Sequence, residues 1–186
     1  MTLSSKTIHM LNNRYVIILT LFLFTFLADA QSDYNSDMEK TLHKMQLEYI
    51  QPVEQTPTFL KKGEIKYFKY DFGMEIDDGD MLILVQTRRD DGNYIPQVAV
   101  PGLVSTLATN KQEFDIRMMG TGDRYLKETN SDWAMESLFI PKQNMTKYNI
   151  AYFKTMFKAG IGAVNILYLS KEEIEVFPVV RFSTDQ

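Results

Sequence analysis

The stretch "EIDDGDMLILVQTRRDDGN", residues 75–93, sets Asp77, Asp78 and Asp80 before an apolar run and Asp90 and Asp91 after it. Met81 to Thr87 is apolar at alternate positions of both parities, the pattern of a central strand buried on two faces. Asp and Gly on its flanks read as turns, because short carboxylate side chains bond the local backbone and Gly accepts a positive φ. Seven extended residues cover roughly 20 Å at about 3.3 Å each, so the two acidic groups should not share one ion. An EF-hand loop is absent, since Ile76 and Thr87 stand where oxygen ligands are required. The competing metal reading is a calcium site at Asp77, Asp78 and Asp80, completed from another loop such as that of Asp123.

Similar signals recur outward from this strand. Gly63 opens "EIKYFKYDF", whose Phe68, Tyr70 and Phe72 are expected to share the core face of one strand. Phe114, Ile116 and Met118 alternate with Glu113, Asp115 and Arg117, giving a strand with one wet face. "AMESLFI", "YNIAYFKTMF", "IGAVNILYL" and "VFPVVRF" add further strands, and "DDG", "PG", "GTGD" and "AGIG" punctuate them. About eight strands with no helical pattern between them predict an all-β fold, an antiparallel, jelly-roll-like β-sandwich. Pro178 places the last strand at an edge.

Ahead of this region, Ser36 and Glu39 fit a capping box, and Met38, Leu42, Met45 and Tyr49 recur at helical spacing until Pro52. A short amphipathic helix is expected there, packed on the domain edge or docked on a partner. "PVEQTPT" reads as a linker. The division is therefore a leader over 1–30, a polar segment, helix and linker over 31–58, and the sandwich over 59–186.

The leader reading rests on Lys6 and Arg14 preceding an uncharged stretch from Tyr15 to Ala28. That run matches a secretory h-region and falls short of the roughly 20 residues that span a bilayer. Ala28 and Ala30 are small residues at the positions read by a signal peptidase, so the mature chain is expected to begin at Gln31. Secretion is the expected destination, with an uncleaved membrane anchor as the alternative.

Composition narrows the chemistry. The chain has 186 residues, 45% of them hydrophobic and 12% aromatic, which is enough to fold on a core of its own. Its net charge of −4 comes without basic blocks, so nucleic acid is not an expected partner, and membrane only if the leader is retained. There is no Cys, and His43 is the one His beyond the leader. Nucleophilic triads and zinc sites built on His or Cys thus lack material, and His43 reads as a solvated helix residue. Gly120-Thr121-Gly122 starts like a dinucleotide fingerprint, but Tyr125 occupies the third Gly position and a turn is expected instead. The remaining candidates are aromatic. Trp133, Tyr125 and Tyr94 lie near strand ends, where exposed rings stack on sugars or anchor a protein contact, and core packing is the competing role. Asn144-Met145-Thr146 is a glycosylation sequon in a turn-like stretch.

"LKKGEIKYFKYDF", "GDMLILVQT", "PQVAVPG" and "ESLFIPKQNMTKYNIAYFK" together resemble the pre-peptidase C-terminal type of secreted β-sandwich. The resemblance is carried by Gly63, Tyr67, Phe68, Leu82, Leu84, Val98, Val100, Ile140, Tyr148 and Ile150, over residues 59–170. Gln97 departs from the Asp usual in that family, and no calcium ligand transfers residue by residue. The resemblance implies a non-catalytic accessory module contacting matrix or polysaccharide. The expected function is accordingly a secreted, non-enzymatic binding or adhesion module for an extracellular protein or glycan. A membrane-assembly subunit and a β-barrel carrier of a small apolar ligand are the alternatives.

Overall fold

In the computed structural model, which describes residues 36–52, 56–109 and 116–184, the apolar run Met81–Thr87 lies in a central strand. The leader, the linker residues 53–55 and the Glu113–Asp115 part of its expected strand lie outside the described residues. Along the chain, a helix α1 (36–44) leads into β1 (Leu47–Tyr49), β2 (Thr58–Leu60), β3 (Gly63–Ile65) and β4 (Phe68–Tyr70). Then come β5 (Phe72–Ile76), a 3-10 turn at Asp77–Gly79, β6 (Met81–Arg89), helix α2 (Pro96–Leu107), β7 (Ile116–Gly120) and helix α3 (Asp123–Thr129). Four strands finish the chain: β8 (Trp133–Phe139), β9 (Ile150–Lys158), β10 (Gly162–Ser170) and β11 (Val180–Phe182).

The fold is mainly β and sandwich-like, with a helix at its N-terminal side. Seven strands form one antiparallel sheet in the order β2-β5-β6-β10-β9-β8-β7, and β1-β11 and β3-β4 form two-stranded sheets. Among the described residues the large sheet is open, with β2 and β7 at its margins. β10 is buried at all nine positions, as "GAVNILYLS" requires of a strand covered on both sides.

Side-chain alternation sorts the core into two layers. On the first face Met81, Ile83 and Val85 of β6 and Val164, Ile166 and Tyr168 of β10 pack with Met38 and Leu42 of α1 and Val180 and Phe182 of β11. On the second face Leu84, Phe153 and Leu167 pack with Val100, Val104 and Leu107 of α2 and Phe68 of β4. Full burial of one such side chain is worth roughly 1.5–3 kcal/mol, and these layers tie helices and ribbons to the sheet. α1 and β1 fall within the same compact unit as the strands, which runs from Asp37 to Gln186. The apolar stripe of α1 is spent on that core, and His43 is exposed.

Several local expectations are corrected. "EIKYFKYDF" is not one strand: Lys66 and Tyr67 turn the chain between β3 and β4, and β5 begins only after Asp71. Phe68 and Phe72 consequently enter opposite core layers. The turn was hidden because Tyr67, with φ 75°, occupies a conformation that ordinarily announces itself through Gly or Asn. "PQVAVPG", whose "PG" read as a turn, lies in a helix instead. It begins α2, with Pro96 at the first helical position and Val100, Val104 and Leu107 on the buried stripe. Pro101 within that helix had read as a turn with Gly102; packing of the stripe against the sheet outweighs it. Helix α3 likewise follows the "GTG" segment where no helix was expected, and Asn130 ends it in the left-handed region at φ 51°. Finally, Tyr49 belongs to β1 because Gln46, at φ 50°, stops α1 before the helical spacing does.

Candidate functional site

The acidic groups of residues 75–93 lie at opposite ends of β6, whose Met81 pairs with Ser170 and whose Arg89 pairs with Gly162. At the first end Asp77, Asp78 and Gly79 all take positive φ, values that Asp and Gly accept more readily than branched residues. The Asp80 carboxylate accepts a 2.6 Å bond from Lys171, and the Tyr148 hydroxyl donates to the Gly79 carbonyl at 3.1 Å. At the second end Asp90 accepts from the backbone of Gly92 and Gly160, at 2.9 and 3.0 Å. These bonds hold its carboxyl below the usual range. The residues do the work of turns. Among the described residues, no three His, Cys, Asp or Glu side chains converge as metal ligands.

The aromatic candidates separate. Trp133 opens β8 opposite Phe157 of β9, and the Tyr94 ring lies 6.5 Å from that of Phe157, so Trp133 and Tyr94 flank one residue on the second face. α2 covers that face around Leu84, Phe153 and Leu167. Beyond it, register sets two rows across the strands: Gln86, Asn165, Thr155 and Met135, then Arg88, Ala163, Phe157 and Trp133. The first row is a bonded ladder. Thr155 donates to Asn165 Oδ1 at 2.8 Å, Asn165 Nδ2 to Gln86 Oε1 at 3.0 Å, and Gln86 Nε2 to the Lys69 carbonyl at 2.8 Å. In the second row the Arg88 guanidinium stands 4.4 Å from the Tyr94 ring centroid. Burial raises the Tyr94 hydroxyl above its ordinary range, while Arg88 and a bond to Asn165 pull it down.

Trp133, Met135, Phe157 and Tyr94 are all half-buried. The result is a shallow apolar platform with the Arg88 guanidinium at one margin and, beside it, a ladder whose Asn165 and Thr155 are buried. Rings of this kind stack on the C–H faces of a sugar, and the exposed Arg88 guanidinium can bond its hydroxyls, while Thr155 and Asn165 are buried and brace the floor beside the rings. Sequence reasoning missed Phe157, Arg88 and the ladder. A signal existed in the amides that interrupt apolar runs, Gln86 in "ILVQT" and Asn165 in "AVNIL".

Tyr125 is not part of this platform. It sits on the first face, where Lys154 Nζ is 4.7 Å from its ring centroid and 3.3 Å from Glu136. Among the described residues its buried hydroxyl has no hydrogen-bond partner, and burial, then Glu136 and Glu128, push it far above the ordinary range. The ring also walls a cavity of about 610 Å³ with Pro52, Phe177 and Pro178. Asn144 is exposed in the turn at 143–145, so the sequon is accessible.

Two buried phenols predict an alkaline limit. Tyr168 is raised like Tyr125, chiefly by burial, and its hydroxyl donates to the Phe177 carbonyl at 2.6 Å. Both are neutral when folded, whereas the unfolded chain ionises them near pH 10. Their stability contribution is therefore complete below about pH 10 and falls as pH rises beyond it. Urea midpoints at pH 9 and pH 11 should show the loss, and Tyr168→Phe should make it smaller; an equal loss in the variant excludes Tyr168 as its source.

The chain matches no protein-family model, no curated protein sequence and no solved structure. Among the described residues, no helix is long and apolar enough to cross a membrane.

Proposed function

We propose that this protein is an exported, non-catalytic binding module that holds an extracellular glycan on the Trp133–Phe157–Tyr94 platform. The observation that carries the reading is the convergence of these half-buried rings on one sheet face beside the Gln86–Asn165–Thr155 ladder. A shallow surface of this form suits a polymer lying across it, with affinity built from stacking and specificity from hydroxyl bonds to the exposed Arg88 guanidinium and the part-exposed Gln86 amide. Export is supported by Lys6 and Arg14 ahead of the apolar run and by the small residues before Gln31. Under that reading Asn144 is the exposed acceptor for modification in a glycosylating compartment.

Retention on a panel of neutral glycans, with chain recovered from the exported fraction, tests the proposal. Trp133→Ala and Phe157→Ala should each weaken binding about tenfold or more, equivalent to about 1.4 kcal/mol, with the fold retained by circular dichroism. Retention of no glycan by the wild type, or of a protein ligand alone, overturns it.

A further inference from the structure

The hairpin of β3 and β4 carries a feature that folding does not require. Ile65 pairs with Phe68, which leaves Lys66 and Tyr67 as the connection. Tyr67 takes φ 75°, a value at which a bulky aromatic is an outlier and Gly is at ease. Burial gives no compensation, because the ring is 46% exposed. Its surroundings are cationic instead: Lys66 Nζ lies 5.3 Å and Lys142 Nζ 5.0 Å from the ring centroid. Lys142 is fixed in place by donating at 2.6 Å to the Thr106 carbonyl in the last turn of α2. The hairpin carboxylates Asp71 and Glu64 lie against Lys62 and Lys69, at 3.5 and 3.9 Å. In a chain of net charge −4, this tip is a local concentration of positive charge around a strained, exposed ring.

We infer that the hairpin tip is a second binding surface, for an anionic polysaccharide. Lys66 and Lys142 meet its sulfate or carboxylate groups, and the Tyr67 ring meets a sugar face between them. Strained residues persist where the surroundings or a ligand require their side chain, and here the ring and two ammonium groups form one unit. An anionic membrane is disfavoured because the tip has no apolar wedge: Phe68 is buried and Ile65 turns toward the second core layer. The surface is separate from the aromatic platform. Lys142 follows the C-terminal end of β8, whereas Trp133 is its first residue, and the seven residues of that strand span roughly 20 Å.

Heparin-agarose supplies the probe, with dextran-agarose as the neutral control. The full chain should be retained on heparin at low salt and released as salt rises, and Lys66→Glu should reduce retention at least fivefold. Tyr67→Gly should reduce retention similarly, with Tm unchanged or raised by up to about 3 °C, since it relieves the backbone. Trp133→Ala should keep heparin retention, so failure of one surface is distinguishable from failure of the other. Passage of the wild type through heparin, unchanged retention in Tyr67→Gly, or a fall in its Tm overturns the inference. Capture by phosphatidylserine vesicles without retention on heparin does so in favour of a membrane.

Discussion

Replacing Gly162 with alanine is expected to destabilise the protein by about 3 kcal/mol or more, the range of a substitution that forces backbone strain into a core. Gly162 begins β10 at φ 142°, paired with Arg89 on one side and Lys158 on the other. A Cβ there would collide with the Arg88 carbonyl oxygen and come within 2.9 Å of Arg89 Cα and Asp90 N, all backbone atoms. No rotamer change relieves such contacts, so β6 and β10 must separate at their common end. That separation breaks the bond from Asp90 N to the Ile161 carbonyl and the bond from Gly160 N to the Asp90 carboxylate, both 3.0 Å. Gly160 is the control. At φ 76° it also favours glycine, but a Cβ there meets nothing within 4 Å, so Gly160→Ala should cost only about 1 kcal/mol. Urea unfolding of both variants measures the difference, and equal losses would show that the close approach at Gly162 is without consequence.

The second large effect concerns Lys154, which is buried on the first face at 8% exposure. It faces Glu136 at 3.3 Å and the Tyr125 ring at 4.7 Å, while Glu136 keeps 36% of its side chain in solvent. Glu136→Leu leaves the buried ammonium without its counter-ion, and should cost about 3 kcal/mol, at the low end for a broken buried pair because water reaches the site. Adding Lys154→Met removes the stranded charge and should return most of that loss, since apolar replacement of a buried pair is often near neutral. A double-mutant cycle by urea unfolding reads the coupling. If the double variant is as unstable as the sum of the two singles, the pair is not the source of the effect.

Much of the architecture was legible because burial on two faces leaves a mark in one dimension. Met81–Thr87 and "GAVNILYL" are apolar at both parities, and both became neighbouring inner strands. The acidic turns were equally plain, since Asp and Gly are the residues that tolerate the positive φ found at Asp77, Asp78 and Gly79. Helix α2 was obscured by Pro101 and Gly102, which signal a break to any local reading. The stripe of Val100, Val104 and Leu107 has value only when Phe153 and Leu167 lie beneath it. The β3–β4 turn was obscured for the opposite reason: Lys66 and Tyr67 carry no turn signal, and the strain at Tyr67 is visible only in the folded backbone.

The candidate site divides in the same way. Trp133 and Tyr94 stood out as aromatics at element ends, but so did Tyr125, and nothing local distinguishes a ring that flanks Phe157 from one that covers Lys154. Strand register makes that distinction, since it assigns each residue to a face and each pair of strands to a row. By itself, then, the sequence determined the β-rich class, the N-terminal helix, the inner strands and the acidic turns at either end of β6. These follow from periodicity and from backbone preferences, which act between near neighbours. Tertiary structure alone decided which rings meet, how Gln86, Asn165 and Thr155 join, and where Lys142 approaches Tyr67. Those contacts join residues far apart in the chain, and they form only when sheet pairing and helix packing are complete.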